Sequence, residues 1–147
     1  MAEGAPTVLL VEDNPNDMEL ALLALRDGGG VSHVDVVRDG VEALDYLFRQ
    51  GTYADRPAGH EPRAVLLDIK LPLLNGIDVL QRLKTDDRTR HLPVIMLTSS
   101  AQRSDLARCY RLGVNSYIVK PVDMDTFFDT MRHIGHYWLV LNQPESL

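Results

Sequence analysis

Short apolar runs alternate along this chain with longer stretches in which apolar side chains recur every third or fourth position. Val8 to Val11 is the first run; it reads as a buried strand that breaks off at EDNPND. Asn14 before Pro15 fits an N-cap and the first helical position. Met18, Ala21, Leu22 and Leu25 then share one helix face, and DGGG at 27–30 stops that helix. HVDVV at 33–37 alternates, as an edge strand with one wet face would. Asp39 caps a second helix carrying Val41, Leu44, Leu47 and Phe48, and GTYADRPAGHEPR is a long polar connection. Ala64 to Leu67 is a third strand, running straight into Asp68. Asn75-Gly76 opens a third helix with Ile77, Leu80 and Leu83; residues 93–97 form a fourth strand and 102–112 a fourth helix, ended by Gly113. SYIVKP supplies a fifth strand, and Asp123 caps a last helix with Met124, Phe127, Phe128 and Met131 on one face.

Five strand-to-helix alternations imply right-handed crossovers and a mostly parallel α/β sheet covered on both sides. Strands one, three and four are the most continuously apolar and are expected at the centre. In such sheets ligand chemistry sits outside the carboxyl ends of the strands. That rule gathers Glu12 and Asp13 after strand one, Asp68 after strand three, Thr98 after strand four and Lys120 after strand five. Close carboxylates repel, by roughly 4 kcal/mol per pair at ~4 Å and an effective dielectric of 20. A hard divalent cation with oxygen ligands removes that repulsion, and magnesium leaves room for a phosphate-bearing substrate. An oxygen nucleophile, a cation site, a lysine and a hydroxyl around one point suit phosphoryl transfer to Asp68.

VEDN at 11–14, LLDIKLPLLNG at 66–76, MLTSS at 96–100 and YIVKP at 117–121 together resemble the receiver domains of two-component response regulators. The resemblance spans about residues 6–134, with 135–147 as a C-terminal extension of one domain. It implies a flavodoxin-like, doubly wound sheet in the order 2-1-3-4-5. It also implies that Asp68 accepts a phosphoryl group from a sensor histidine kinase or a phosphotransfer protein. Mg²⁺ would be held by Asp13, by Glu12 mainly through water, by Asp68 and by the backbone carbonyl of Lys70. Thr98 and Lys120 would meet phosphoryl oxygens, over a cis Lys120–Pro121 bond. Movement of Thr98 would favour an inward Tyr117 and so change the surface of the fourth helix, fifth strand and last helix.

Taken singly, each of these residues has an ordinary reading: a solvated turn acid, a strand-end hydroxyl, a packed tyrosine or a loop lysine. The set at one sheet edge is what carries weight. Lys70 stands where the family more often has smaller or neutral residues, and its side chain is expected outward; leaning inward, it would alter hydrolysis, as Ser100 would. His33, His60, His91, His133 and His136 show no ligand spacing tied to the acids, and Cys109 reads as a small packed or partly exposed residue rather than a nucleophile. The 52–62 connection and the ending HIGHYWLVLNQPESL resemble a subclass of stand-alone receivers that serve phytochrome and similar sensor kinases. Ile134, Trp138 and Leu141 keep helical spacing there, while Tyr137, Leu139 and Val140 add apolar surface elsewhere. Two outcomes fit: a tail packed on its own domain, or a homodimer through the last helix and the tail, with the dimer expected.

Composition narrows the field. One cysteine excludes an internal disulfide and a zinc cage of several thiolates. A net charge of -6 argues against general nucleic-acid binding. No apolar run approaches the ~20 residues of a membrane helix, and MAEGAPT lacks a signal-peptide pattern; a soluble cytoplasmic protein is expected. It is expected to be a switch rather than a turnover enzyme, with service as a phosphate sink as the alternative. A haloacid-dehalogenase-type phosphatase would need an acid where Lys70 stands. A flavin binder would need a phosphate-cradling loop where Glu12 and Asp13 stand. A pseudo-receiver is disfavoured by the intact acid set.

Overall fold

A computed structural model describes residues 7–27, 33–57 and 61–143. Five strands, β1 (Thr7–Val11), β2 (His33–Val37), β3 (Ala64–Leu67), β4 (Val94–Thr98) and β5 (Ser116–Val119), form one parallel sheet in the order β2-β1-β3-β4-β5. The helices between and after them are α1 (Pro15–Asp27), α2 (Gly40–Phe48), α3 (Gly76–Lys84), α4 (Arg103–Leu112) and α5 (Met124–His136). The expected fold class, order and central strands are all observed.

Strand alternation sends side chains to two cores. Val8, Leu10, Ala64, Leu66, Ile95 and Leu97 face α1 and α5, while Leu9, Val11, Val65, Leu67, Val94 and Met96 face α2, α3 and α4. Both faces are covered, which is why β1, β3 and β4 read as unbroken apolar runs. Asn14, Asp39, Asn75 and Asp123 each accept from amides in the first turn of the helix they open, and so start four of the five helices. Gly113 ends α4 at φ 99°.

Register sets the height of each strand mouth. Val11 pairs with Leu67, and Leu67 with Met96. Glu12 and Asp68 therefore leave neighbouring strands at one level. β4 continues to Thr98, which pairs with Val119, so Lys120 leaves the sheet slightly higher.

Two features of the chain were not legible as loops or helices. The polar connection after α2 is strapped down: Tyr53 donates to Glu42 at 2.7 Å, and Arg56 donates to the Tyr46 carbonyl at 2.9 Å with its guanidinium 4.3 Å over the Tyr46 ring. Residues 58–60 of this connection, including His60, and most of DGGG lie outside the described residues. The ending does not continue α5 as a regular helix. It widens into a π-helical turn over Tyr137–Leu141, where the Asn142 amide reaches the Tyr137 carbonyl at 2.6 Å. Ile134 is buried and Trp138 packs with the α1–α5 core. Tyr137, Val140 and Leu141 remain exposed.

Candidate functional site

The turn after β1 presents Glu12, 3 % exposed, and Asp13, which is exposed. Asp68, 8 % exposed, follows β3. Each of these three residues offers a carboxylate oxygen lying within 4.8 Å of the others'. Lys120 enters from the end of β5, its amide donating to the Thr98 carbonyl at 2.7 Å. Its ammonium donates to Glu12 Oε1 at 2.7 Å, Asp17 Oδ2 at 2.9 Å and Asp68 Oδ2 at 3.0 Å. Four of the five edge residues read from the sequence are thus brought into one cluster, and Asp17 is an addition. Its signal was present: it stands four residues after Asp13, one helical turn on, but an acid in a first helical turn usually serves only the helix dipole.

The loop that carries Asp68 is tight. The Lys70 amide donates to Asp68 Oδ1 at 3.3 Å, while the Lys70 side chain is exposed, as expected. The Gly76 amide donates to the Ile69 carbonyl at 2.7 Å. A Cβ at Gly76 would stand 1.9 Å from the Asp68 carbonyl oxygen, so only glycine permits this approach. Leu73, exposed at φ 69°, holds a backbone conformation that costs a leucine about 1–2 kcal/mol.

Burial pushes the Glu12 carboxyl above its usual range, against the opposing bond and charge of Lys120. Burial also works against the Lys120 charge, but the bonds to Glu12 and Asp17, with the Asp68 charge beside them, outweigh it and hold the amine protonated. Three acids of one residue cluster, two of them buried, compensated by one ammonium, leave net negative charge for a cation to meet. An all-oxygen donor set fits Mg²⁺, Mn²⁺ or Ca²⁺ and does not fit a thiolate-seeking ion.

Thr98 and Tyr117, the residues expected to form the switch, meet at Ser100. Thr98 is fully buried, and its Oγ1 accepts from the Ser100 amide at 3.2 Å. Tyr117 is half-buried against the α2–α3–α4 core and donates to the Ser100 carbonyl at 2.8 Å. Ser100 Oγ in turn donates to Asp105 Oδ2 in α4 at 2.6 Å. Both hydroxyl-bearing residues therefore lean on Ser100.

One expectation is corrected. No peptide bond among the described residues is cis, so Lys120–Pro121 is trans. The trans isomer is favoured even before proline, by about 0.5–1 kcal/mol, and Lys120 makes all three carboxylate contacts from it. Cys109 is buried on α4, the packed one of its two expected placements, and no described helix is long and apolar enough to cross a membrane.

Residues 8–132, a doubly wound sheet with three acids and a lysine at its carboxyl edge, match the response regulator receiver domain. The chain belongs to that family. It is 39 % identical over 144 residues to the probable methanogenesis regulatory protein FilR2 of Methanothrix harundinacea (strain 6Ac), covering 97 % of this chain and 89 % of FilR2. It is similar to the phosphorylated cyanobacterial phytochrome response regulator RcpA, with a TM-score of 0.89 and 35 % identity over 96 % of this chain and 99 % of that one. The bacteriophytochrome response regulator AtBRR is 51 % identical, with a TM-score of 0.73, over 94 % and 98 % of the two chains.

Proposed function

We propose that the chain is a single-domain response regulator in which Asp68 accepts a phosphoryl group from a histidine kinase of the phytochrome class. The observation that carries this is Lys120 bridging Glu12, Asp17 and Asp68 at 2.7, 2.9 and 3.0 Å beside the three-acid cluster. The likeness to RcpA and AtBRR supports the kinase class. An Asp68 carboxylate oxygen attacks the phosphorus of a phosphohistidine; the new O–P bond forms as the N–P bond breaks, and the imidazole nitrogen keeps the electron pair. Lys120 donates to a phosphoryl oxygen and offsets its charge. The Thr98 hydroxyl turns from the Ser100 amide to another phosphoryl oxygen. Glu12, Asp13, Asp68 and the Lys70 carbonyl would hold Mg²⁺, which when bound supplies the positive charge that lets acids and phosphoryl oxygens approach.

Output passes through contact rather than turnover. Thr98 and Tyr117 share Ser100, and Ser100 holds Asp105 of α4, so a shift at Thr98 reaches the α4–β5–α5 surface through named bonds. Self-catalysed hydrolysis resets the switch, and the protein works in the cytoplasm. A homodimer through α5 and the tail is favoured by the exposed Tyr137, Val140 and Leu141; Tyr137→Ser with Leu141→Ser should then sediment as a monomer. Phosphotransfer from purified histidine kinases, red-light sensors included, tests the main reading. Label on the wild type and none on Asp68→Asn is expected, and a chain that accepts label from no kinase would refute it.

A further inference from the structure

Asp17 is the one acid of the cluster that the phosphoacceptor chemistry does not use. It lies in the first turn of α1, outside the group of three acids that could share a cation. Yet it takes one of the Lys120 contacts, at 2.9 Å. An ammonium has three protons, and Glu12, Asp17 and Asp68 each accept from it. Lys120 is fully engaged, so a further oxygen that bonds to it must displace one of the three. Asp17 is the partner most open to water: its side chain is 31 % exposed, against 4 % for Glu12 and 10 % for Asp68. It also has somewhere to go. With Leu20, Leu23, Val122 and Phe127 it lines a groove of about 560 Å³ between α1 and the β5–α5 connection.

We propose that Asp17 is a positioning residue that holds Lys120 back from the incoming phosphoryl group, so that release of this ion pair sets how tightly the site takes a phosphoryl oxygen. The inference rests on the reading of Asp68 as phosphoacceptor. Two effects of removing the Asp17 charge act in the same direction. One proton of Lys120 becomes free for a phosphoryl oxygen, and one negative charge leaves the neighbourhood of a dianion. Glu12 and Asp68 still anchor the amine, so its place at the strand edge persists.

The test titrates beryllofluoride with Mg²⁺, as a phosphoryl mimic, and measures the rate of phosphorylation against acetyl phosphate concentration. Asp17→Asn keeps the shape and leaves a neutral, weaker acceptor. It should lower the half-saturating concentration of both reagents by about two- to fivefold, the range of a partly exposed ion pair, with the maximal rate little changed. Asp17→Glu should restore wild-type half-saturation. A merely structural Asp17 would shift the melting temperature and leave half-saturation where it was. Unchanged or weaker mimic binding by a folded Asp17→Asn overturns the proposal, as does a Glu variant that behaves like Asn. If the wild type itself takes no mimic, the phosphoacceptor reading of Asp68 fails and carries this proposal with it.

Discussion

Replacing Lys120 by methionine should destabilise the protein strongly in metal-free buffer and make it unusually responsive to Mg²⁺. The acid oxygens of Glu12, Asp13 and Asp68 lie within 4.8 Å of one another. At that separation each pair repels by about 3.5 kcal/mol at an effective dielectric of 20. Lys120 offsets this with contacts of 2.7 to 3.0 Å. Each of these is worth about 6 kcal/mol in gross Coulomb terms at the same dielectric. Most of that gain is offset by taking a 9 %-exposed ammonium out of water. Removing one partner from such a cluster leaves the others buried and uncompensated, and the net loss is about 3–5 kcal/mol. For a domain of this size that corresponds to a fall in Tm of about 6–20 °C. Thermal melts in EDTA and in Mg²⁺ measure it. Mg²⁺ should recover more stability in Lys120→Met than in the wild type, because the cation then replaces a missing charge as well as binding. A variant within about 1 kcal/mol of wild type in EDTA, or an equal Mg²⁺ effect in both proteins, would refute the electrostatic reasoning.

Other outcomes follow from single contacts. Gly76→Ala would force a Cβ that stands 1.9 Å from the Asp68 carbonyl to retreat; a loss of about 1–3 kcal/mol and slower phosphorylation are expected, and an unchanged melt and rate would contradict the close approach. Lys84 donates to the carbonyls of Arg90 and Leu92 at 3.1 and 2.8 Å and to Asn115 Oδ1 at 3.0 Å, tying α3 to the starts of β4 and β5. Lys84→Met should lower the unfolding free energy by about 1–3 kcal/mol, seen as a lower urea midpoint at constant m-value, and an unmoved midpoint would show the tie to be idle. Burial, with the Asp105 charge, pushes the Cys109 thiol up to about 11. A thiol reagent should label the native protein slowly at neutral pH, faster as pH rises toward that value, and fast once urea exposes the residue; equal native and unfolded rates would place the thiol at the surface.

Thr98→Ala separates acceptance from transmission: phosphorylation should persist while phosphorylation-dependent partner binding falls, and wild-type binding by the phosphorylated variant would break the proposed route through Ser100.

What was readable from the sequence was read where local and global forces agree. β1, β3 and β4 are buried on both faces, so their apolar runs have no competing interpretation, and β2, at an edge, is only partly buried and carries His33 and Asp35. Asn14, Asp39, Asn75 and Asp123 start helices through bonds made within three residues, which a sequence displays directly. The edge residues Glu12, Asp13, Asp68, Thr98 and Lys120 followed from their places at the carboxyl ends of successive parallel strands. What escaped depends on long reach or on small energies. Lys84 and Asn115 meet across 31 residues, and Asp17 and Lys120 across 103. No periodicity marks such pairs. The Lys120–Pro121 isomer turns on about 1 kcal/mol. At the tail, one extra residue in a turn replaces regular α-helix with a π-helical turn, a shift that the spacing of Ile134, Trp138 and Leu141 does not register.

Intact-mass spectrometry after incubation with acetyl phosphate and excess Mg²⁺ addresses the central claim most directly. One added phosphoryl group on the wild type, lost in EDTA and absent from Asp68→Asn, is the expected result. No adduct on the wild type, or an adduct that persists in Asp68→Asn, would contradict it.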